Sequence, residues 1–122
     1  MIGYVTLGTN DMAAAMVFYD ALLAEVGAKR LMETERFTFW GQSMEQPCLC
    51  LIKPFNGEPA SIGNGSMVAL AVNQRALVDR LHARALELGG TDEGAPGERG
   101  SGFYAGYFRD PEGHKLNAFC SG

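Results

Sequence analysis

The sequence predicts an α+β fold built from two tandem βαβββ modules. Three observations lead there. A strand pattern passing into an amphipathic helix occurs twice, once from Tyr4 and again from Met67. Each helix is followed by short strand patterns separated by polar or Gly/Pro turns. Position 4 laid on position 67 also brings like onto like: Val5 meets Val68, Leu7 meets Leu70, Asn10 meets Asn73, Leu23 meets Leu86 and Gly27 meets Gly90. Identities at core and capping positions are the mark of a duplicated unit. The 122 residues fit one domain. Module one spans about 1–55 and module two about 66–122.

Tyr4 to Thr9 alternates, with Val5 and Leu7 on one face and Tyr4, Thr6 and Gly8 on the other. Asn10-Asp11 supplies an N-cap. Ala15, Phe18, Tyr19, Leu22 and Val26 share one face of the following helix, and Gly27 stands at its C-terminus. Arg30–Glu33, Phe37–Gly41 and Cys48–Lys53 read as strands. The small-residue segment Pro54–Gly65 reads as the crossover between modules. Met67–Val72 restarts the pattern. Asn73 is the expected cap of a second helix carrying Leu77, Val78, Leu81, Ala85 and Leu88, and Gly89-Gly90 ends it. A short strand from Thr91 leads into the Gly-rich stretch Gly94–Gly102. Phe103–Arg109 and His114–Cys120 close the module around the tight turn Asp110-Pro-Glu-Gly113.

Composition excludes several function classes. Hydrophobic residues make up 47% and charged residues 20%, which suits a packed globule rather than a disordered chain. The net charge is −4 with Lys and Arg scattered, so a nucleic-acid footprint is absent. No apolar run is long enough to span a membrane, and the N-terminus lacks the pattern of a signal peptide, which makes a cytoplasmic location the expectation. Cys48, Cys50 and Cys120 are an odd set without metal-ligand spacing and read as reduced, buried thiols. His82 is expected on the solvated side of the second helix near Asp79. His114 falls on the opposite strand parity to Asn117. No nucleophile–base relay can be assembled.

Tyr4-Val-Thr-Leu-Gly-Thr-Asn-Asp11, Phe18-Tyr19, Leu86-Glu-Leu-Gly-Gly90 and above all Tyr107-Phe-Arg-Asp-Pro-Glu-Gly-His-Lys-Leu-Asn117 carry a family signal. Through them the whole chain resembles the glyoxalase, bleomycin-resistance and ring-cleaving dioxygenase group, the vicinal oxygen chelate superfamily. The resemblance implies curled mixed sheets forming a cup with helices outside, and commonly a homodimer. It also implies a divalent metal held by one residue on the first and one on the last strand of each module, normally His, Glu or Gln. Carried onto this chain, those positions are Tyr4, Met67, Asn117 and either Cys50 or Leu51. Zinc, nickel and iron sites need imidazole, thiolate or carboxylate donors. The expectation is therefore no cofactor, with a divalent metal only through atypical ligation.

The ligand pocket is expected from Tyr4, Thr6, Met67, Ala69, Asn117 and Phe119 on the cup face. Trp40, Phe103, Tyr104 and Tyr107 serve as aromatic walls, and Arg99 sits on a Gly-rich lid, with Lys53 assisting. Three functions compete. The first is a metal-independent binder of a small organic molecule. The second is a lyase or isomerase of glyoxalase type, similar to lactoylglutathione lyase, with unusual or lost metal ligation. The third is a purely structural dimer. No catalytic residue can be named from the sequence.

Overall fold

Local sequence grammar becomes regular structure in ten elements. The computed structural model describes residues 1–122. In chain order these are β1 (Tyr4–Gly8), α1 (Met12–Ala24), β2 (Lys29–Glu33), β3 (Phe37–Gly41), β4 (Cys48–Ile52), β5 (Val68–Ala71), α2 (Arg75–Glu87), β6 (Thr91–Glu98), β7 (Phe103–Arg109) and β8 (Lys115–Ser121). They form two βαβββ units, Met1–Ser61 and Ile62–Gly122. The α+β class and the duplicated module read from the sequence are what the chain adopts.

Each unit holds one four-stranded mixed sheet, in the orders β1-β4-β3-β2 and β5-β8-β7-β6. The first strand of each unit pairs in parallel with the last, and the other pairings are antiparallel. A parallel pair needs a long crossover, and here the helix and the two intervening strands supply it. Helix α1 packs on β2, β3 and β4, and α2 on β6, β7 and β8, so the edge strands β1 and β5 lie beyond the helices.

In the first unit Phe18, Tyr19, Leu22 and Leu23 of α1 bury against Trp40, Leu49 and Leu51. Asp11 caps α1 by accepting from the Ala14 amide at 3.1 Å. Asn10 does something else. Its amide donates to the Ala60 carbonyl and accepts from the Ala60 N–H, at 3.1 and 2.7 Å, and so fastens the crossover segment to the end of β1. Asp20 ties α1 to the sheet. It takes two hydrogen bonds from Arg30, at 2.9 and 2.6 Å, and one from the Trp40 indole at 2.8 Å.

In the second unit Val78, Leu81 and Ala85 of α2 cover Phe108, Leu116 and Ala118. The turn between β7 and β8 is held by one oxygen: Asp110 Oδ1 accepts from the amides of Glu112, Gly113 and His114 within 2.9–3.0 Å. Gly113 there has a φ of +107°, which favours glycine.

Several sequence expectations are corrected. The N-cap of α2 is Gln74 rather than Asn73, without a side-chain cap bond. Strand β6 runs on to Glu98 through Gly94, Ala95, Pro96 and Gly97, which removes most of the expected loop. Two register irregularities in its pairing with β7 make this possible, because a bulged edge strand tolerates proline and glycine. His82 is 6% exposed, not solvated. It is i+4 from Val78 and i−3 from Ala85, so it shares their buried face. Its Nε2 lies 2.9 Å from Asp92 Oδ1. The ring packs over Gly106, where a Cβ would stand 3.0 Å from Pro96 Cγ and 3.4 Å from His82 Cδ2.

Candidate functional site

Strand alternation leaves one face of each sheet away from its helix. In the first unit that face carries Tyr4, Thr6, Phe39, Cys48 and Cys50. Phe39, Cys48 and Cys50 form an apolar cluster with Leu31, Phe37 and Ile52. Tyr4 is 57% exposed and packs edge-on to Phe39, with centroids 4.9 Å apart.

The open choice between Cys50 and Leu51 is decided by register. Thr6 pairs with Cys50 as Ala69 pairs with Asn117. Phe39 pairs with Cys50 as Tyr107 pairs with Asn117. Cys50 is thus the counterpart of Asn117, while Leu51 turns to the helix and is fully buried. Burial pushes the Cys50 thiol up to about 11, so it is protonated at neutral pH. A single cysteine beside a phenol, a thioether and an amide does not make a donor set for zinc, nickel or iron. No group of three or more His, Cys, Asp or Glu side chains is placed to hold a metal ion. The residues at these positions do not fit the metal that the fold resemblance implies.

The open face of the second sheet is more polar. Asn117 lies at its centre, between Ala69 on β5 and Tyr107 on β7. It is 2% exposed, and its Oδ1 is buried without a hydrogen-bond partner. Ala69 beside it is exposed and contributes only a methyl group. Lys115 and Phe119 share the face. Phe119 stacks on Phe103 with centroids 5.4 Å apart and an interplanar angle of 26°. The Tyr107 ring carries two cations, the Arg99 guanidinium at 5.5 Å and the Lys115 ammonium at 5.4 Å from its centroid. Arg99 also donates to the Ala95 carbonyl at 2.6 Å. It therefore folds back against Tyr107 instead of standing on a long lid.

Glu93, Arg109 and Lys115 form the charged end of this face. Glu93 Oε1 is 3.2 Å from Arg109 Nε and 3.8 Å from Lys115 Nζ. Glu93 is the extra residue of the β6 irregularity, and sequence reading missed it because a bulge breaks strict alternation.

Two expected pocket residues belong elsewhere. The Trp40 indole bonds Asp20 of α1, and the Tyr104 hydroxyl donates to Asp79 of α2 at 2.6 Å. Both rings lie on the helix side of their sheets. The Asp79 carboxylate beside it raises the Tyr104 phenol above its ordinary value. Lys53 lines a separate cleft of about 370 Å³ in the first unit, beside Asn10 and Glu58. The sequence expectation joined residues of both sheets into one pocket. Unit by unit, Met67, Ala69, Asn117, Phe119 and Arg99 lie in the second, and Tyr4 and Thr6 in the first.

Residues 1–118 match a family model described as the Glyoxalase/Bleomycin resistance protein/Dioxygenase superfamily. A glyoxalase/bleomycin resistance protein from Albidiferax ferrireducens T118 has a similar structure, with a TM-score of 0.92 at 33% identity. The match covers 100% of this chain and 99% of that one. A lactoylglutathione lyase from Agrobacterium tumefaciens is similar at a TM-score of 0.71 and 21% identity, covering 98% and 92%, a likeness of fold alone. No curated protein matches the sequence.

Proposed function

The chain belongs to the Glyoxalase/Bleomycin resistance protein/Dioxygenase superfamily, and we propose that within it this protein binds a small organic molecule without a divalent metal, on the open face of its second sheet. The observation that carries the reading is Asn117. A buried acceptor left unpaired costs about 1–3 kcal/mol, and native folds keep few of them. A ligand that donates a hydrogen bond to Asn117 Oδ1 recovers that cost. The Phe103–Phe119 stack offers flat apolar surface for the ligand's body.

A lyase or isomerase of glyoxalase type is the alternative, and it needs a base to move a substrate proton. Glu93, the carboxylate of this face, is engaged by Arg109 and Lys115. That arrangement favours binding over proton transfer.

The test is a thermal-shift screen of small aromatic compounds bearing hydrogen-bond donors, with and without EDTA. A ligand present at about 100 times its Kd adds about 2.7 kcal/mol of stability. Stabilisation that ignores EDTA and is lost in Asn117→Leu is the expected result. Stoichiometric metal in the purified protein, with turnover of the methylglyoxal–glutathione hemithioacetal, would sink the reading. A homodimer is part of the same proposal. Light scattering is expected to give twice the chain mass.

A further inference from the structure

We infer that the cleft at the end of the β7–β8 hairpin is a second binding site, which takes a small aliphatic monocarboxylate on Arg109 and Lys115. The site goes beyond the reading above, since Asn117 does not line it.

The cleft holds about 520 Å³ and lies wholly within the second unit. Arg109 and Lys115, opposite one another in the strand register, line it together with residues 62–67. That segment is seated on the hairpin turn, because a Cβ at Gly113 would stand 3.4 Å from Ile62 Cγ1. It folds back on itself where the Ser66 N–H donates to the Gly63 carbonyl at 3.3 Å. Ile62 and Met67, 40% and 42% exposed, give the cleft apolar surface that a short aliphatic body can cover.

The two cations converge on one point. Glu93 Oε1 lies 3.2 Å from Arg109 Nε and 3.8 Å from Lys115 Nζ, so both reach a single carboxylate oxygen. Glu93 thus shows what the pair accepts, and it does not itself line the cleft. Both cations keep donors beyond that contact. Arg109 spends Nε on Glu93 and Nη1 on the Gly113 carbonyl, which leaves Nη2. Lys115 has three N–H donors and one long ion pair. Their side chains are only 35% and 33% exposed. Arg109 is held by its two bonds, and Lys115 by the Tyr107 ring 5.4 Å away. Side chains already fixed lose little rotamer freedom when a ligand arrives. Two cations against one carboxylate leave a single positive charge at the cleft. A monocarboxylate neutralises that charge through charge-assisted hydrogen bonds, whereas a phosphate dianion exceeds it.

Amide-resolved NMR titration of the full chain with butyrate, butyramide and inorganic phosphate, at matched ionic strength, tests this. Butyrate is expected to shift the amides of residues 62–67, Arg109 and Lys115 saturably, with a Kd of about 1–10 mM. Butyramide should bind about fivefold more weakly, and that difference should vanish in Lys115→Met. In Glu93→Gln butyrate should bind about threefold tighter, since a competing carboxylate is gone. Opposite effects of the two substitutions are not expected from misfolding. Butyramide binding as tightly as butyrate would overturn the carboxylate as the recognised group. Phosphate binding more tightly than butyrate would overturn the monoanion. Shifts centred on Asn117 and Phe119, or an acid advantage that survives Lys115→Met, would overturn the cleft as the site. If butyrate does not saturate, the inference falls. The screen against Asn117→Leu decides the other reading separately, because the two sites share no named anchor.

Discussion

Replacing Asn117 by leucine should make the protein more stable and unable to bind its ligand. Asn117 is 2% exposed, and its Oδ1 has no partner. The folded state therefore carries a desolvation cost of about 1–3 kcal/mol that the unfolded chain, hydrated by water, does not. Leucine has the same branched heavy-atom skeleton and no acceptor, though its methyl groups take more room. It also prefers a strand to a greater degree than asparagine. Against this stands the strain of fitting a branched apolar group, which in tight cores costs about 1–3 kcal/mol. Here that strain is limited, because Ala69 on the neighbouring strand is small and exposed. The expected net effect is about 1 kcal/mol of added stability, a rise in Tm of about 3–6 °C for a chain of this size. Urea unfolding at equal m-value, read by Trp40 fluorescence, measures it. A loss of more than about 1 kcal/mol would refute the reasoning, because the amide would then be a structural member of the sheet rather than a site held at a cost.

Other predictions follow from the same coordinates. Asp20→Ala should cost about 1–3 kcal/mol by denaturant unfolding. It strands the indole N–H of Trp40, itself 1% exposed, and frees Arg30. Asp92 is held below its ordinary value, first by the Gly94 amide and then by His82. A lowered carboxylate contributes stability that is present above its unfolded value and lost as pH falls through the folded one. The acid limb of stability below about pH 4 should therefore flatten in Asp92→Asn, and an unchanged limb would count against the His82–Asp92 contact. The Cys50 thiol, pushed up to about 11, should resist thiol reagents at pH 8 until the chain is unfolded. Rapid labelling of native protein at Cys50 would show that its strand opens.

How much of this was legible in the residues themselves divides along physical lines. Short-range rules were enough for the elements. Period-two alternation marked β1 and β5, helical spacing marked α1 and α2, and Asp110 with Gly113 marked the final turn. The duplication was visible because both units bury a sheet against a helix with the same spacing. Strand parity also puts Ala69 and Asn117 on one face, where they pair. What needed tertiary structure was register and partner choice. Only the pairing of Thr6 with Cys50 identified the counterpart of Asn117. Only the packed helix faces showed that Trp40 and Tyr104 serve Asp20 and Asp79. Glu93 entered through a bulge that alternation cannot foresee, and His82 is buried on the face of α2 that Val78 and Ala85 also occupy. The ligand-poor character of the metal positions belongs to the sequence. The unpaired Asn117 oxygen and the Glu93–Arg109–Lys115 cluster depend on how strands meet, because the partners of a polar group are its neighbours in space.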